Sequence, residues 1–585
     1  MNRSSNIATP RKGLARWAAV LGLAGLAGCG STSGTPIGDL ICQGAGVVVG
    51  GKVTFVKRLY SEQGLTGEQI IKPVRYGLVE IVREVDGSVL ATTYTDRNGS
   101  YCIDVPQTKS FPTVYPRVAS LTDPDKFKIV VTSDNIDLYS RPGTAFDAST
   151  PGNYKRDIPL PLFVRLPGNV DFAFSGAFNV MDVLTTGAEK AVELTGQAPS
   201  ETLFGVWRPG TYFGSGTFGT YFGGDEQTNN AYIVLSGGDG GGADFGDHDE
   251  YDDDVILHEF GHFMVYSFSK DVSPGGAHYL NDNTEDTRLA WSEGWASFFS
   301  GAVRRSPVLT NTYGGDPGSL NREFSYAFDI ERPHADVLTR IGTPLEDYGT
   351  YTTSEVAVAS VLWDVFDGLN EPGDASSDGL KRVWEVMTRI RTVPPPTVTL
   401  ETFATYFGDL FGLTSLAETA KLRRIQWFPD NFEDGDDTTD TAPLTTNGEW
   451  TCHTLYPVGD VDYARFTVDV PRSVIVDTFN LSNGADTALQ IVDANNAVVV
   501  REDGTRAEND DAASPHGYEA QRCNRFIPVP FAYMPGPNNG ERFASTVRFD
   551  AQPGTYYAKV VSSRKDPRAG VMGSYGLIVS FLPPG

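Results

Sequence analysis

His258-Glu259-Phe260-Gly261-His262 is the stretch that decides how the middle of this chain folds. Residues four apart lie on the same face of an α-helix, so both imidazoles can reach a single metal ion. Glu259 lies one position beyond His258, where its carboxylate can take a proton from a water bound to that ion. Its neighbours are too apolar for a surface helix, and these polar groups would be costly to bury without a partner. The pentapeptide therefore predicts a buried helix with a Zn2+ site.

A third ligand is expected, because a catalytic zinc ion usually keeps three protein ligands and one open position. The strongest candidate is Glu293, a lone acid in the apolar run 289–296 (LAWSEGWA), which has helical character. An acid in such surroundings is expected to be buried and to need a cation. A third histidine spaced as in HExxHxxGxxH proteins is excluded, because Phe268 stands at that position. Rival ligands are His278, Glu285 and Asp286, in a polar stretch between the two predicted helices.

The two segments together resemble the gluzincin peptidases, and Glu-Gly-Trp-Ala at 293–296 is similar to the second motif of the fungalysin family. This resemblance implies that His258, His262 and Glu293 bind zinc and that Glu259 is the general base. It also implies a thermolysin-like domain in which a mixed sheet and a helical lobe enclose the metal. The implied activity is that of a zinc endopeptidase acting on protein or peptide substrates.

Two positions depart from this family pattern. Ser297 stands where these peptidases carry the aspartate that orients a zinc-bound histidine, and Ala357 stands near the place of their oxyanion-stabilising histidine. The related aminopeptidases use a tyrosine roughly sixty residues beyond the glutamate in that electrostatic role. The resemblance therefore favours Tyr351 as a catalytic residue, with Tyr348 and His334 as alternatives.

Two other functions stay open at this point. A zinc aminopeptidase would need an acidic group to hold the free amine of its substrate, and no motif similar to Gly-x-Met-Glu-Asn precedes the zinc helix. A non-catalytic surface scaffold that retains a zinc site is the alternative from a different class. Glu259 argues against the scaffold, because binding zinc does not require that residue. The endopeptidase is the favoured interpretation.

Residues 1–28 resemble a bacterial lipoprotein signal peptide, in which a basic region and a short apolar stretch end in Leu26-Ala27-Gly28-Cys29. The resemblance implies a lipid on Cys29 and attachment to a membrane through it, with residues 29–44 as a tether. The expected location is the bacterial outer membrane or cell surface, or outside the cell after processing. The net charge of −27 repels phosphates, which excludes nucleic acid as a partner. We expect a monomer.

The predicted fold is multidomain α+β, with a β-sandwich at each end and the thermolysin-like zincin domain between them. The turn at 96–99, followed by 100–103, predicts a β-hairpin and resembles the transthyretin-like domain of carboxypeptidases. Segments 459–466, 480–487 and 554–560 resemble the bacterial pre-peptidase C-terminal domain. The predicted divisions are 45–170 (β-sandwich plus an unassigned β or loop segment), 171–430 (metallopeptidase), 431–440 (acidic linker) and 441–585 (β-sandwich).

Four further expectations concern single features. Once Cys29 is set aside, the four remaining cysteines favour the disulfides Cys42–Cys102 and Cys452–Cys523 in an exported protein. The glycine-rich run 237–250 carries aspartates that could hold Ca2+, although a solvated loop is the favoured interpretation; they are Asp239, Asp244, Asp247 and Asp249. We also expect 231–235 to be the edge strand that receives substrate, and His453 and His516 to lie at the surface.

Overall fold

The protein is described by a computed structural model covering Cys42 and most of the chain from residue 44 to residue 583. The described residues are Cys42, 44–106, 112–133, 137–162, 164–166, 170–172, 174–210, 219–238, 246–280, 282, 285–315, 317–318, 322–331, 352–368, 376–395, 397–423, 425, 427, 430–433, 435–456, 459–479, 481, 485–512, 543–563 and 573–583. The signal peptide, Cys29, His334, Tyr348, Tyr351, His516 and Cys523 lie outside them.

Thirteen strands are described ahead of the first helix, rich in the β-branched residues that favour pleated sheets. They are β1 (Val47–Ser61), β2 (Gly64–Pro73), β3 (Gly77–Arg83), β4 (Val89–Tyr94), β5 (Ser100–Val105), β6 (Thr113–Thr122), β7 (Ile129–Thr132), β8 (Ser140–Pro142), β9 (Phe146–Asp147), β10 (Gly152–Lys155), β11 (Ile158–Leu160), β12 (Val164–Leu166) and β13 (Val170–Phe172). The long strand β1 pairs with β2 and β5 antiparallel and with β10 and β11 parallel.

The predicted hairpin around Gly99 is wrong. The turn itself forms, because the amide of Gly99 donates to the carbonyl of Asp96, but the strands on either side of it join different sheets. β4 pairs with β3, whereas β5 pairs with β1. The expected disulfide between Cys42 and Cys102 is confirmed. Cys452 also takes part in a disulfide, and its expected partner Cys523 is outside the described residues.

A second sheet runs through residues on both sides of position 170. It contains three more strands, β14 (Thr202–Trp207), β15 (Tyr221–Asp225) and β16 (Asn230–Leu235), in the order β15-β16-β14-β7-β6-β3-β4. Buried side chains from Val47 to Trp427 form one hydrophobic core. The boundary predicted at 170 therefore does not coincide with a break in packing. The expected edge strand is also corrected, because β16 is paired on both sides and, among the strands that the structure describes, β15 lies at the edge.

Seven α-helices are described. They are α1 (Phe174–Thr195), α2 (Asp253–Phe268), α3 (Thr287–Arg304), α4 (Glu355–Phe366), α5 (Gly379–Thr392), α6 (Leu400–Phe411) and α7 (Thr414–Ala420), and two short strands, β17 (Val308–Asn311) and β18 (Tyr326–Asp329), follow α3. Helices α2, α3 and α4 are buried on most of their surface. Helix α7 ends at Ala420 and is followed directly by a 3-10 turn at Lys421–Arg423. No helix in the described part of the chain combines the length and apolar character that crossing a bilayer requires.

Beyond residue 440 the chain forms two four-stranded antiparallel sheets around a separate core. The strands are β19 (Trp450–Thr454), β20 (Val461–Val468), β21 (Arg472–Phe479), β22 (Thr487–Val492), β23 (Glu508–Asn509), β24 (Thr546–Ala551), β25 (Gly554–Ser562) and β26 (Ser574–Phe581). Their orders are β19-β26-β21-β24 and β20-β25-β22-β23. Side chains that alternate inward from both sheets fill the space between them, so this part of the chain is sandwich-like, as predicted.

Candidate metal centre

Two glycines let α2, α3 and α4 approach closely at the predicted site. A Cβ atom added to Gly261 of α2 would lie 2.8 Å from the Cα of Ala296 in α3. A Cβ added to Gly294 of α3 would lie 2.5 Å from the Cβ of Val358 in α4. Both distances are shorter than side-chain contacts allow, so only glycine fits without a shift of the helices. The glycines inside the two motifs therefore set the distance between the helices that carry the polar residues.

The structure brings His258, His262 and Glu293 together. The Nε2 atoms of His258 and His262 lie 3.1 Å and 3.2 Å from Oε2 of Glu293. The two imidazole rings belong to one face of α2, with centroids 5.0 Å apart. The three ligand atoms lie within 4.8 Å of one another, and two imidazole nitrogens with one carboxylate make a donor set that suits Zn2+. These side chains therefore fit a zinc ion.

Each histidine has a partner for its other ring nitrogen. Nδ1 of His258 lies 3.1 Å from the hydroxyl oxygen of Ser297. Nδ1 of His262 lies 3.3 Å from the hydroxyl oxygen of Ser292, which in turn donates to Oδ2 of Asp271 at 2.6 Å. Such contacts hold metal-binding histidines in one orientation with Nε2 free for the ion. Ser297, which the sequence marks as a departure, thus occupies an orienting position.

Charge and burial act on the site together. Burial disfavours ionisation of Glu293, but attraction to His262 and hydrogen bonds from both histidines hold its pKa well below the ordinary value. Burial lowers the pKa of His262, yet attraction to Glu293 outweighs it and raises that pKa to about 9. The carboxyl of Glu259 is also buried, and burial raises its pKa. A cation is thus favoured beside Glu293, while Glu259 is a stronger base than a free glutamate.

Of the rival ligands, His278 and Glu285 lie next to this site and Asp286 does not. Nε2 of His278 is 3.5 Å from Oε2 of Glu293, and its Nδ1 is 2.7 Å from Oε2 of Glu355. Glu285 forms a group with His278 and Glu355, separate from the group of the three predicted ligands. Asp286 instead caps the start of α3, where its side chain accepts from the amide of Arg288.

Glu355 was not among the residues chosen from the sequence. It is an acid at the start of the apolar helix α4 and is 4% exposed. An acid at the start of an apolar helix is ordinarily explained by its favourable interaction with the helix dipole. Its position in the sequence therefore did not distinguish Glu355 from such a residue. Burial opposes protonation of His278, but the hydrogen bond and attraction to Glu355 raise the pKa of His278 to about 10.

Two of the four aspartates predicted from the glycine-rich run lie close together in the structure. Asp247, Asp249 and Asp252 lie together, whereas Asp239 and Asp244 are outside the described residues. Asp249 is 1% exposed, so the solvated-loop interpretation is wrong at that position. Burial raises the pKa of Asp249 to about 6.

The edge strand β15 runs close to the helix that carries the histidines. The ring of Phe222 in β15 stacks near His262, with centroids 6.3 Å apart, and also contacts Phe263 and Tyr266. β15 pairs with β16 on one side. An edge strand beside the polar cluster can accept an extended peptide through backbone hydrogen bonds.

Comparisons with known proteins leave the family open. No protein-family model matches the chain. An uncharacterized protein of Archaeoglobus fulgidus is 29% identical over 133 residues, which are 22% of this chain and 32% of that relative. The chain thus spans about a third of the length of the relative that it matches.

Solved structures give only distant likenesses. The pre-peptidase C-terminal domain of a collagenase from Bacillus anthracis shares 13% identity over 24% of this chain and 94% of its own, with a TM-score of 0.15. PliG of Aeromonas hydrophila, a periplasmic inhibitor of g-type lysozyme, shares 10% identity over 24% of this chain and 96% of its own, with a TM-score of 0.13. Likenesses this low carry no argument, so the assignment of residues 441–585 to the pre-peptidase family stays a prediction.

Proposed function

We propose that this chain is a zinc-dependent endopeptidase with a thermolysin-like catalytic region, in which His258, His262 and Glu293 hold the ion. The observation that carries the proposal is the convergence of both Nε2 atoms on Oε2 of Glu293, at 3.1 Å and 3.2 Å. Bound zinc supplies Lewis acidity toward the scissile carbonyl and the attacking water. The zinc centre, the activity and the location at a bacterial surface through a lipid on Cys29 are all parts of this proposal.

Glu259 acts as the general base of the proposed reaction. It lies one residue from His258 on α2, and its raised pKa brings it closer to the pKa that suits proton transfer near neutral pH. It takes the proton of the attacking water and later gives it to the nitrogen of the leaving amine. A site that only held zinc would have no use for a buried carboxylate at this position.

His278 supplies the positive hydrogen-bond donor that is missing from the sequence near Ala357. Its Nε2 lies 3.5 Å from Glu293, while Glu355 holds Nδ1 at 2.7 Å. A donor fixed in this way stabilises the negative charge that develops on the carbonyl oxygen. Tyr351, Tyr348 and His334 lie outside the described residues, whereas His278 lies beside Glu293.

The substrate is proposed to be an extended polypeptide that pairs with β15. That strand lies at the sheet edge next to α2, and its backbone can bind a chain whatever its side chains are. Backbone pairing of this kind can bind an internal segment of the substrate and does not require a free amino terminus on it. It therefore favours an endopeptidase over an aminopeptidase.

The test is cleavage of casein by the zinc-loaded chain, compared with Glu259→Gln prepared identically and with the zinc content of both measured. Cleavage by the wild type together with loss in the variant at equal zinc content supports the proposal. Equal cleavage by both would expose a contaminating protease. Zinc in both with cleavage by neither, across casein and a library of unstructured peptides, favours the scaffold.

A further inference from the structure

A second group of side chains that could bind a metal ion lies where segment 430–436 contacts the C-terminal sandwich. It consists of Asp430, Asp436, His453 of β19 and Asp462 of β20, whose ligand atoms lie within 4.8 Å of one another. His453 and Asp436 are each 1% exposed and Asp462 is 2% exposed. The expectation that His453 lies at the surface is therefore wrong. Asp436, which falls in the predicted acidic linker, is part of a buried structure.

The imidazole of His453 is fixed in one orientation. Its faces stack between the rings of Phe432 and Tyr575, with centroids 5.0 Å and 5.4 Å away. Its Nε2 lies 2.8 Å from the hydroxyl oxygen of Thr451. This contact leaves Nδ1 pointing at the carboxylates, which is how a metal-binding histidine is usually held.

Nδ1 of His453 has no hydrogen-bond partner, although it is buried among acids. It lies 3.5 Å from Oδ2 of Asp436 and 3.7 Å from Oδ2 of Asp430, whereas a charge-assisted hydrogen bond would close to about 2.8 Å. Two ligands of a tetrahedral zinc ion, each about 2.1 Å from it, are separated by about 3.4 Å. The distances around Nδ1 thus match ligands around an ion better than a direct ion pair.

Hydrogen bonds compensate the acids only in part: Oδ2 of Asp430 accepts from the amide of Thr454, and Oδ2 of Asp462 accepts from the hydroxyl of Tyr575. Oδ2 of Asp436, like Oδ2 of the adjacent Asp460, is buried without a hydrogen-bond partner. Among the described residues, His453 is the basic group recorded within 4 Å of Asp430 and Asp436. A buried group of carboxylates in this state favours a cation.

We propose that Asp430, Asp436, His453 and Asp462 bind a divalent transition-metal ion of the zinc class. An imidazole donor distinguishes this class from Ca2+ and Mg2+, which take oxygen ligands. The ion fastens the segment that follows the helical region onto the sandwich, because its ligands come from both. This site is independent of the proposed peptidase activity and of the centre on α2.

The test is the zinc content of the full chain after dialysis, measured by elemental analysis. We expect two zinc ions in the wild type and one in each of Asp436→Asn and His453→Gln. The double substitution His258→Ala and His262→Ala also leaves one ion, and adding Asp436→Asn to it leaves none. Zinc content unchanged by Asp436→Asn and by His453→Gln overturns the proposal, whatever happens at the centre on α2.

A second measurement does not depend on the folding of those two variants. The chain with His258→Ala and His262→Ala is titrated with Zn2+ and, separately, with Ca2+, and its thermal unfolding is followed. We expect one equivalent of Zn2+ to bind and to raise Tm, while Ca2+ at the same concentration leaves it unchanged. Stabilisation by Ca2+ without Zn2+ overturns the assignment of the ion, and no response to either ion overturns the site.

Discussion

Nδ1 of His278 lies 2.7 Å from Oε2 of Glu355, although the two residues are 77 positions apart in the chain. His278 comes from the polar stretch between α2 and α3, and Glu355 opens α4. Their contact turns the far side of the imidazole toward Glu293. The sequence makes His278 a rival metal ligand, and the carboxylate of Glu355 holds it beside the candidate metal centre.

Replacing His278 by alanine is expected to lower kcat by about 100-fold or more, because the donor for the developing oxyanion is lost. KM and zinc content should change little, since the three proposed ligands remain. Steady-state kinetics on a fluorogenic peptide, with elemental analysis of the same preparations, measures both. Glu355→Gln should show a smaller loss of kcat, because it removes the charge that holds the imidazole. Full activity in His278→Ala would contradict this role.

Glu259→Gln is expected to reduce kcat/KM by at least about 100-fold while zinc stays bound, since glutamine cannot accept the proton of water. The amide keeps the size of the side chain, so loss through unfolding is avoided. Circular dichroism and zinc analysis serve as controls. A variant that retains most of its activity would show that another group is the base.

Ser297→Ala should weaken zinc binding roughly ten-fold, because Nδ1 of His258 loses its orienting partner. Ser297→Asp should bind zinc at least as tightly as the wild type, since a carboxylate accepts the same hydrogen bond. Ser300→Ala is the matched control: its hydroxyl donates to the carbonyl of Asp254 and contacts no histidine. Competition with a chromogenic chelator gives the three affinities. Equal weakening by Ser297→Ala and Ser300→Ala would indicate a general loss of packing.

Gly294→Ala is expected to destabilise the helical region by about 1–3 kcal/mol, because its methyl group would overlap Val358 and the carbonyl oxygen of Glu355. Gly408→Ala in α6 is the control, since the nearest atom to its added Cβ is a side-chain atom 3.3 Å away. Alanine there gains helix propensity and should cost little. Urea unfolding followed by tryptophan fluorescence compares them. Similar stability of the two variants would mean that α3 and α4 can separate without cost.

The contribution of Asp249 to stability should fall as pH rises from 3.8 to about 6, because burial raises the pKa of this carboxyl to about 6 in the folded protein. Between these two pH values the folded protein keeps a proton on Asp249 that the unfolded chain has already released. Each increase in pH within this interval therefore shifts the equilibrium toward the unfolded chain. Asp249→Asn removes this contribution, on the order of 2 kcal/mol, and should flatten the dependence. Thermal unfolding from pH 4 to pH 7 measures the difference. Parallel curves for the two proteins would contradict the prediction.

Local patterns in the sequence accounted for the helices and for part of the site. Spacing alone puts His258 and His262 on one face of α2, and the apolar run around Glu293 forms α3. These features depend on residues within a few turns of each other, so a single sequence contains the information for them.

Only the tertiary structure decided which distant residues meet. It paired His278 with Glu355, buried His453 among three aspartates, and joined strands from both sides of residue 170 into one sheet. It also sent β4 and β5 into different sheets across a turn whose sequence is typical of a hairpin. Each of these outcomes depends on packing between segments that are far apart in the chain. Local propensity does not predict such packing. The sequence by itself determined the helices and the chemistry that they carry, while the packing of the whole chain decided which of those groups act together.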